Sequence, residues 1–136
     1  MPLVLASALL SDAEFLEAFH SCRLLNSEFH HADHLRLAWL HLHREPIETA
    51  LAEVRAGIHN FAAHHGAAHL YHETITTAWV RLLATHRENN FDEFLRENEA
   101  RLSIGLLHRF WSPEVLAGQE ARATWVAPDR RELPSQ

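Results

Sequence analysis

The 136-residue sequence predicts an all-α fold: an antiparallel helical bundle of four longer helices plus one or two short C-terminal helices. Three observations carry this expectation. Apolar residues recur at three- and four-residue spacing, strand-like alternation is absent, and glycine is scarce, with four in the chain. Short connections between the longer helices favour antiparallel neighbours.

The elements follow in order. Ser11 and Glu14 have capping-box spacing, so a first helix begins at Ser11, with Phe15, Leu16 and Phe19 as its apolar face, and fades near Leu25-Asn26-Ser27. A second helix is expected from about Ala32 to Arg44, on the recurrence of Leu35, Ala38, Trp39 and Leu42; Pro46 then marks a break and a new start. A third runs from about Ile47 to His65 behind the stripe Ile47, Leu51, Val54, Ile58 and Phe61, with Gly66 as a left-handed cap. The fourth is expected from near Tyr71 to about His86, with Ile75, Ala78, Trp79, Leu82 and Leu83 inward. A shorter fifth follows Asn90, a good N-cap. Ser112-Pro113-Glu114 starts a last short helix to about Ala121. The chain reads as one domain, 1–136, with an irregular tail from about residue 122 that lies over the body.

Hydrophobic residues make up 47% of the chain, enough for a core without disulfides. The single cysteine, Cys22, excludes an internal disulfide framework and fits a reducing compartment. The net charge of −6 and the scattered arginines give no nucleic-acid footprint. The apolar N-terminal run lacks a basic leader and is too short for a signal segment, and no stretch reaches the length needed to span a membrane. A cytoplasmic protein is expected, with a small-molecule partner and room for homodimerisation.

The thirteen histidines are the outlying feature, and position decides which of them matter. His31 and His34 are three residues apart, about 60° around a helix, and the row of His31 continues through Leu35, Ala38 and Leu42. Both rings therefore point toward the core side in the first turn. His30 is an alternative partner for His34, but its row does not continue into the stripe. Asp33 faces outward or caps the helix start. His72 is followed at the third and seventh positions by Ile75 and Trp79, so it too points inward from a first turn. If the second and fourth helices run parallel, the three imidazoles meet at one end of the bundle.

Three histidines around a divalent ion leave an open position. The expected metal ligands are thus His31, His34 and His72, with zinc the best match and copper, nickel or iron as alternatives. Glu73 is the candidate base, or a carboxylate orienting an imidazole, since it cannot share the row of His72. Thr76 can hydrogen-bond into the site, and Tyr71 places a phenol at its mouth. Arg122 is a candidate contact for a substrate carboxylate, against the plainer reading of a tail ion pair with Asp129. Trp39 and Trp79 are core residues that can wall a pocket. His64, His65 and His69 flank Gly66 as a solvated helix end or a source of one further ligand. His41, His43, His59, His86 and His108 read as surface or rim residues.

The segments Phe29-x-His31-x-x-His34-Leu35, Tyr71-His72-Glu73-Thr74-Ile75-Thr76 and Ala121-Arg122-x-x-Trp125-Val126-x-Pro128-Asp129 resemble a group of uncharacterised small bacterial proteins, over roughly residues 25 to 130. The resemblance implies a site of His31, His34, His72 and Glu73, adds Arg122 and Asp129, and supplies no reaction. The His-Asp phosphohydrolases are set aside because this chain has Asp33-His34 in the reverse order. The zinc proteases are set aside because His72-Glu73 lacks the second histidine. The DinB-like metalloproteins offer an analogy of fold alone. Two functions remain at this stage: a metal-dependent hydrolytic or oxidative enzyme acting on a small molecule, and a non-catalytic metal or small-ligand binding protein.

Overall fold

In the computed structural model, which describes residues 7–134, every regular element is helical, with no strand among the described residues. Most of the apolar N-terminal run read above as too short for a leader lies outside the described residues. Helix α1, Asp12–His20, opens with the expected box: the Ser11 hydroxyl accepts the Glu14 amide at 3.1 Å, and the Glu14 carboxylate accepts the Ser11 amide at 2.8 Å. The helix stops well before Leu25. Cys22 takes a left-handed backbone, φ 63, and the Leu24 amide turns back to the Ala18 carbonyl at 3.0 Å. A left-handed residue just past a helix end closes the last carbonyls and prevents continuation.

Helix α2, His31–Leu42, and helix α3, Ile47–His64, fall within two residues of the expected bounds. Gly66 is left-handed at φ 71, as its position after α3 requires. Helix α4, Glu73–Leu83, is shorter at both ends than expected: His72 is its N-cap rather than its second residue, and tighter turns, from the Thr85 amide to Leu82 and the His86 amide to Leu83, replace its last turn. Helix α5, Phe91–Asn98, is capped by the Asn90 side chain, which accepts the Glu93 amide at 2.8 Å. Two 3₁₀ turns, Glu99–Arg101 and Ile104–Arg109, carry the chain onward. The expected last helix is two: α6, Pro113–Ala117, and α7, Gln119–Ala123, separated by the extended backbone of Gly118.

Helices α2, α3 and α4 pack mutually, and this three-helix centre positions the site. Helix α1 lies on α3, α5 on α2, and α7 on α4. Phe15, Phe19, Leu37, Trp39, Phe94 and Trp111 are fully buried in one core. Trp39 stacks on Phe94 with ring centroids 4.8 Å apart, as a core residue. Gly57 in α3 lets α1 come close: a Cβ there would stand 2.8 Å from the Phe19 ring and 3.0 Å from the His20 ring. The tail after α7 lies over the body. The Trp111 indole donates to the Val126 carbonyl at 2.8 Å, and Asp129 accepts the Ser112 amide at 2.8 Å. No helix among the described residues is long and apolar enough to cross a membrane.

Candidate functional site

The first turns of α2 and α4 open onto the same cavity, of about 300 Å³, and α3 forms its third wall. His31, His34, Tyr71, His72 and Thr76 supply its polar lining. Ala38, Val54, Ile58, Ile75, Trp79 and Val80 supply most of the rest, with the exposed Leu70 at the rim. Helical periodicity aims the residues of α2, α3 and α4 inward, while the extended segment before α4 brings in Tyr71 and His72. His31, His34 and His72 thus share a cavity, but their rings are engaged very differently.

The His72 ring is fully committed. Its Nδ1 accepts the Ile75 amide at 3.1 Å, capping α4, so the proton sits on Nε2, which donates to the Leu116 carbonyl at 2.7 Å. Burial pushes its pKa below the ordinary histidine range. The Leu116 carbonyl opposes that shift, and the nearby Arg122 charge reinforces it. The His31 Nε2 donates to the Leu102 carbonyl at 2.7 Å, and its ring meets Trp79 edge-on at 5.0 Å. Its Nδ1 keeps a lone pair. The His34 ring lies against Phe29, centroids 4.2 Å apart, and hydrogen-bonds to no described residue. Burial lowers its pKa to about 4, helped by neighbouring His31 and opposed by Asp33. His34 is therefore a neutral imidazole at physiological pH.

Glu73 is not aimed into the cavity. Arg55 donates to it from Nε, at 3.0 Å to each oxygen, and from Nη2 at 2.8 Å; the Tyr71 hydroxyl adds a bond at 2.6 Å and Thr77 one at 3.2 Å. Burial raises its pKa, but the Arg55 and Tyr71 hydrogen bonds outweigh burial and hold it below the usual carboxylate range. A carboxylate with this many donors is a poor base, so Glu73 in this arrangement anchors the start of α4. Burial and the Glu73 carboxylate push the Tyr71 hydroxyl well above its ordinary pKa, which leaves it a neutral donor already in use. The Tyr71 ring stacks on His59 at 3.7 Å. Arg122 ties down the approach to α4 by donating to the Leu70 and Tyr71 carbonyls at 3.2 and 3.3 Å; it forms no ion pair with Asp129 among the described residues.

The expected three-histidine metal centre does not fit this hydrogen bonding. A ligand imidazole needs a free nitrogen lone pair, and His72 has none to give. Among the described residues no three His, Cys, Asp or Glu side chains form a group able to hold a metal ion. His30 is exposed and lies beside Asp33, and the buried Asp33 carboxylate caps α2 by accepting the His30 amide at 2.9 Å. His64, His65 and His69 lie outside the cavity lining. His41, expected at the surface, is buried.

The sequence reading missed Arg55, which decides what Glu73 does. Its one signal was position: Arg55 follows the inward Val54 on α3 and so borders the core face. It also missed the carbonyls of Leu102 and Leu116, which no side-chain pattern announces. No family model matches the chain, and comparison with curated proteins and with solved structures finds no match either.

Proposed function

We propose that this chain is a small-molecule-binding domain, and that the cavity between α2, α3 and α4 takes one compact, uncharged, largely apolar ligand with a hydrogen-bonding group. One observation carries the reading: His34, held neutral by burial, lines the cavity without a hydrogen-bond partner among the described residues. His34 is part-buried and its ring nitrogens are not sealed off, so a matching ligand group would take the place of water on them, a hydrogen bond worth about 0.5–1.5 kcal/mol. A neutral imidazole offers one N–H donor and one acceptor, so a hydroxyl or amide on the ligand is the natural complement. A charged ligand is disfavoured, because Glu73 is spent on Arg55 and no guanidinium lines the cavity. The volume of about 300 Å³ suits a single- or double-ring compound.

The metal-dependent enzyme is the weaker reading. It would require His72 to abandon the cap of α4, at a cost of about 1 kcal/mol for the cap alone, and Glu73 to leave Arg55.

The test uses phenol, indole and benzamide titrated into ¹⁵N-labelled protein. The expected result is a set of shift changes confined to residues 31–38 and 71–80. At least one compound should bind at least tenfold more weakly to a His34→Phe variant of unchanged fold. Shifts scattered outside the cavity, or equal affinity of wild type and variant for every compound, would overturn the assignment.

A further inference from the structure

A second pair of imidazoles, outside the cavity, meets between α1 and α2. His20 is the last residue of α1, and His41 lies in the last turn of α2. Their Nε2 atoms are 3.0 Å apart, with the rings nearly perpendicular at 84°. Behind His41, the Glu45 carboxylate accepts from Nδ1 at 2.6 Å. That bond places a proton on His41 Nδ1, so in the neutral ring Nε2 presents its lone pair to His20. On its far side the His20 ring lies against the bare backbone of Gly57, where a Cβ would stand 3.0 Å from Cε1 and 3.3 Å from Nδ1. His20 is exposed and His41 buried, so the shared edge can be reached from solvent.

We propose that His20 and His41 are the two protein ligands of a divalent transition-metal site. Glu45 is the carboxylate that orients His41, and water completes the coordination. A ligating histidine characteristically donates its other ring N–H to a carboxylate, which fixes the ring and raises its basicity; His41 already does so. Nitrogens bound to one tetrahedral ion at the usual zinc–nitrogen length lie about 3.3 Å apart, so the pair must open by a few tenths of an ångström and the rings must turn until both lone pairs meet on the ion. The exposed ring of His20 can make that shift. On binding, the His20 proton moves from Nε2 to Nδ1, both imidazoles stay neutral, and no proton leaves the protein. The carboxylates of Glu53 and Glu45 both act on His20, and both favour a cation there. Two protein ligands are fewer than the four of structural zinc, so the ion is held more weakly and exchanges with solvent. The bound ion would clip α1 to α2 across 21 residues of sequence.

The experiment titrates Zn²⁺ into the full chain by calorimetry and follows the imidazole resonances of His20 and His41 by long-range ¹H–¹⁵N spectra. Wild type is expected to bind one equivalent at this pair, with both sets of ring signals shifting together. His20→Gln, on an exposed ring and with unchanged metal-free melting, should lose at least tenfold in affinity, and Glu45→Gln roughly tenfold. The proposal is overturned if Zn²⁺ does not bind, if the His20 and His41 rings stay unmoved at saturation, or if His20→Gln binds as tightly as wild type.

Discussion

Arg55 holds Glu73 by both carboxylate oxygens, reaching from the middle of α3 to the first residue of α4. The Glu73 side chain is 13% exposed, so its charge depends on this partner. Removing the guanidinium leaves a part-buried carboxylate short of donors. Arg55→Met should therefore lower stability at pH 7 by about 1–3 kcal/mol, read from urea midpoints. The pH dependence has a definite sign. The native pKa of Glu73 lies below its ordinary value of 4.5, so the pair's stabilisation is present above that pH and fades as pH falls through the lowered value. The gap between Arg55→Met and wild type should accordingly narrow at pH 3.

His34 produces the opposite kind of acid sensitivity. Its native pKa of about 4 lies under the 6.5 of a free histidine. Between those values the unfolded chain takes up a proton that the folded chain refuses, so stability falls as pH drops from 6.5 toward 4. The slope from this one group is at most about 1.4 kcal/mol per pH unit. His34→Gln should flatten the stability profile across that window and leave it unchanged above pH 7. A profile with the same slope in variant and wild type would show that the ring is free to protonate in the fold.

His72 has two structural jobs, and substitutions can separate them. His72→Ala removes the cap of α4 and the bond to Leu116, and should cost about 2–3 kcal/mol, the sum of a lost cap and a lost hydrogen bond. Asparagine is a good N-cap, so His72→Asn should keep the first and lose only the second, giving about half that loss. Amide hydrogen exchange at Ile75 checks the assignment directly: protection there should survive in His72→Asn and fall in His72→Ala.

Gly57 and Cys22 make a matched pair of backbone tests. Alanine ordinarily stabilises a helix interior over glycine by about 0.5–1 kcal/mol. At Gly57 the new methyl meets the fully buried Phe19 ring, so Gly57→Ala should instead destabilise, by about 1–3 kcal/mol. At Cys22 the left-handed backbone burdens any side chain, and Cys22→Gly should raise the melting temperature, a gain of about 1 kcal/mol. Thermal melts of both variants decide these signs.

The amino-acid sequence determined the elements whose causes are local. The Ser11–Glu14 box, the Asn90 cap, the Ser112-Pro113 start and the left-handed Gly66 each act within a few residues, and each was readable because its partners are sequence neighbours. Helical periodicity likewise aimed His31 and His34 at one cavity, and His72 reaches it from the extended N-cap position of α4. Tertiary structure decided what those rings do there. The Leu102 and Leu116 carbonyls lie 71 and 44 residues from the histidines they engage, and Arg55 lies 18 residues from Glu73. An imidazole or a carboxylate takes its role from whichever partner satisfies it, and that partner is set by packing rather than by spacing along the chain. His72 shows the limit most plainly, since histidine is not a favoured N-cap and nothing near it in sequence marked it as one.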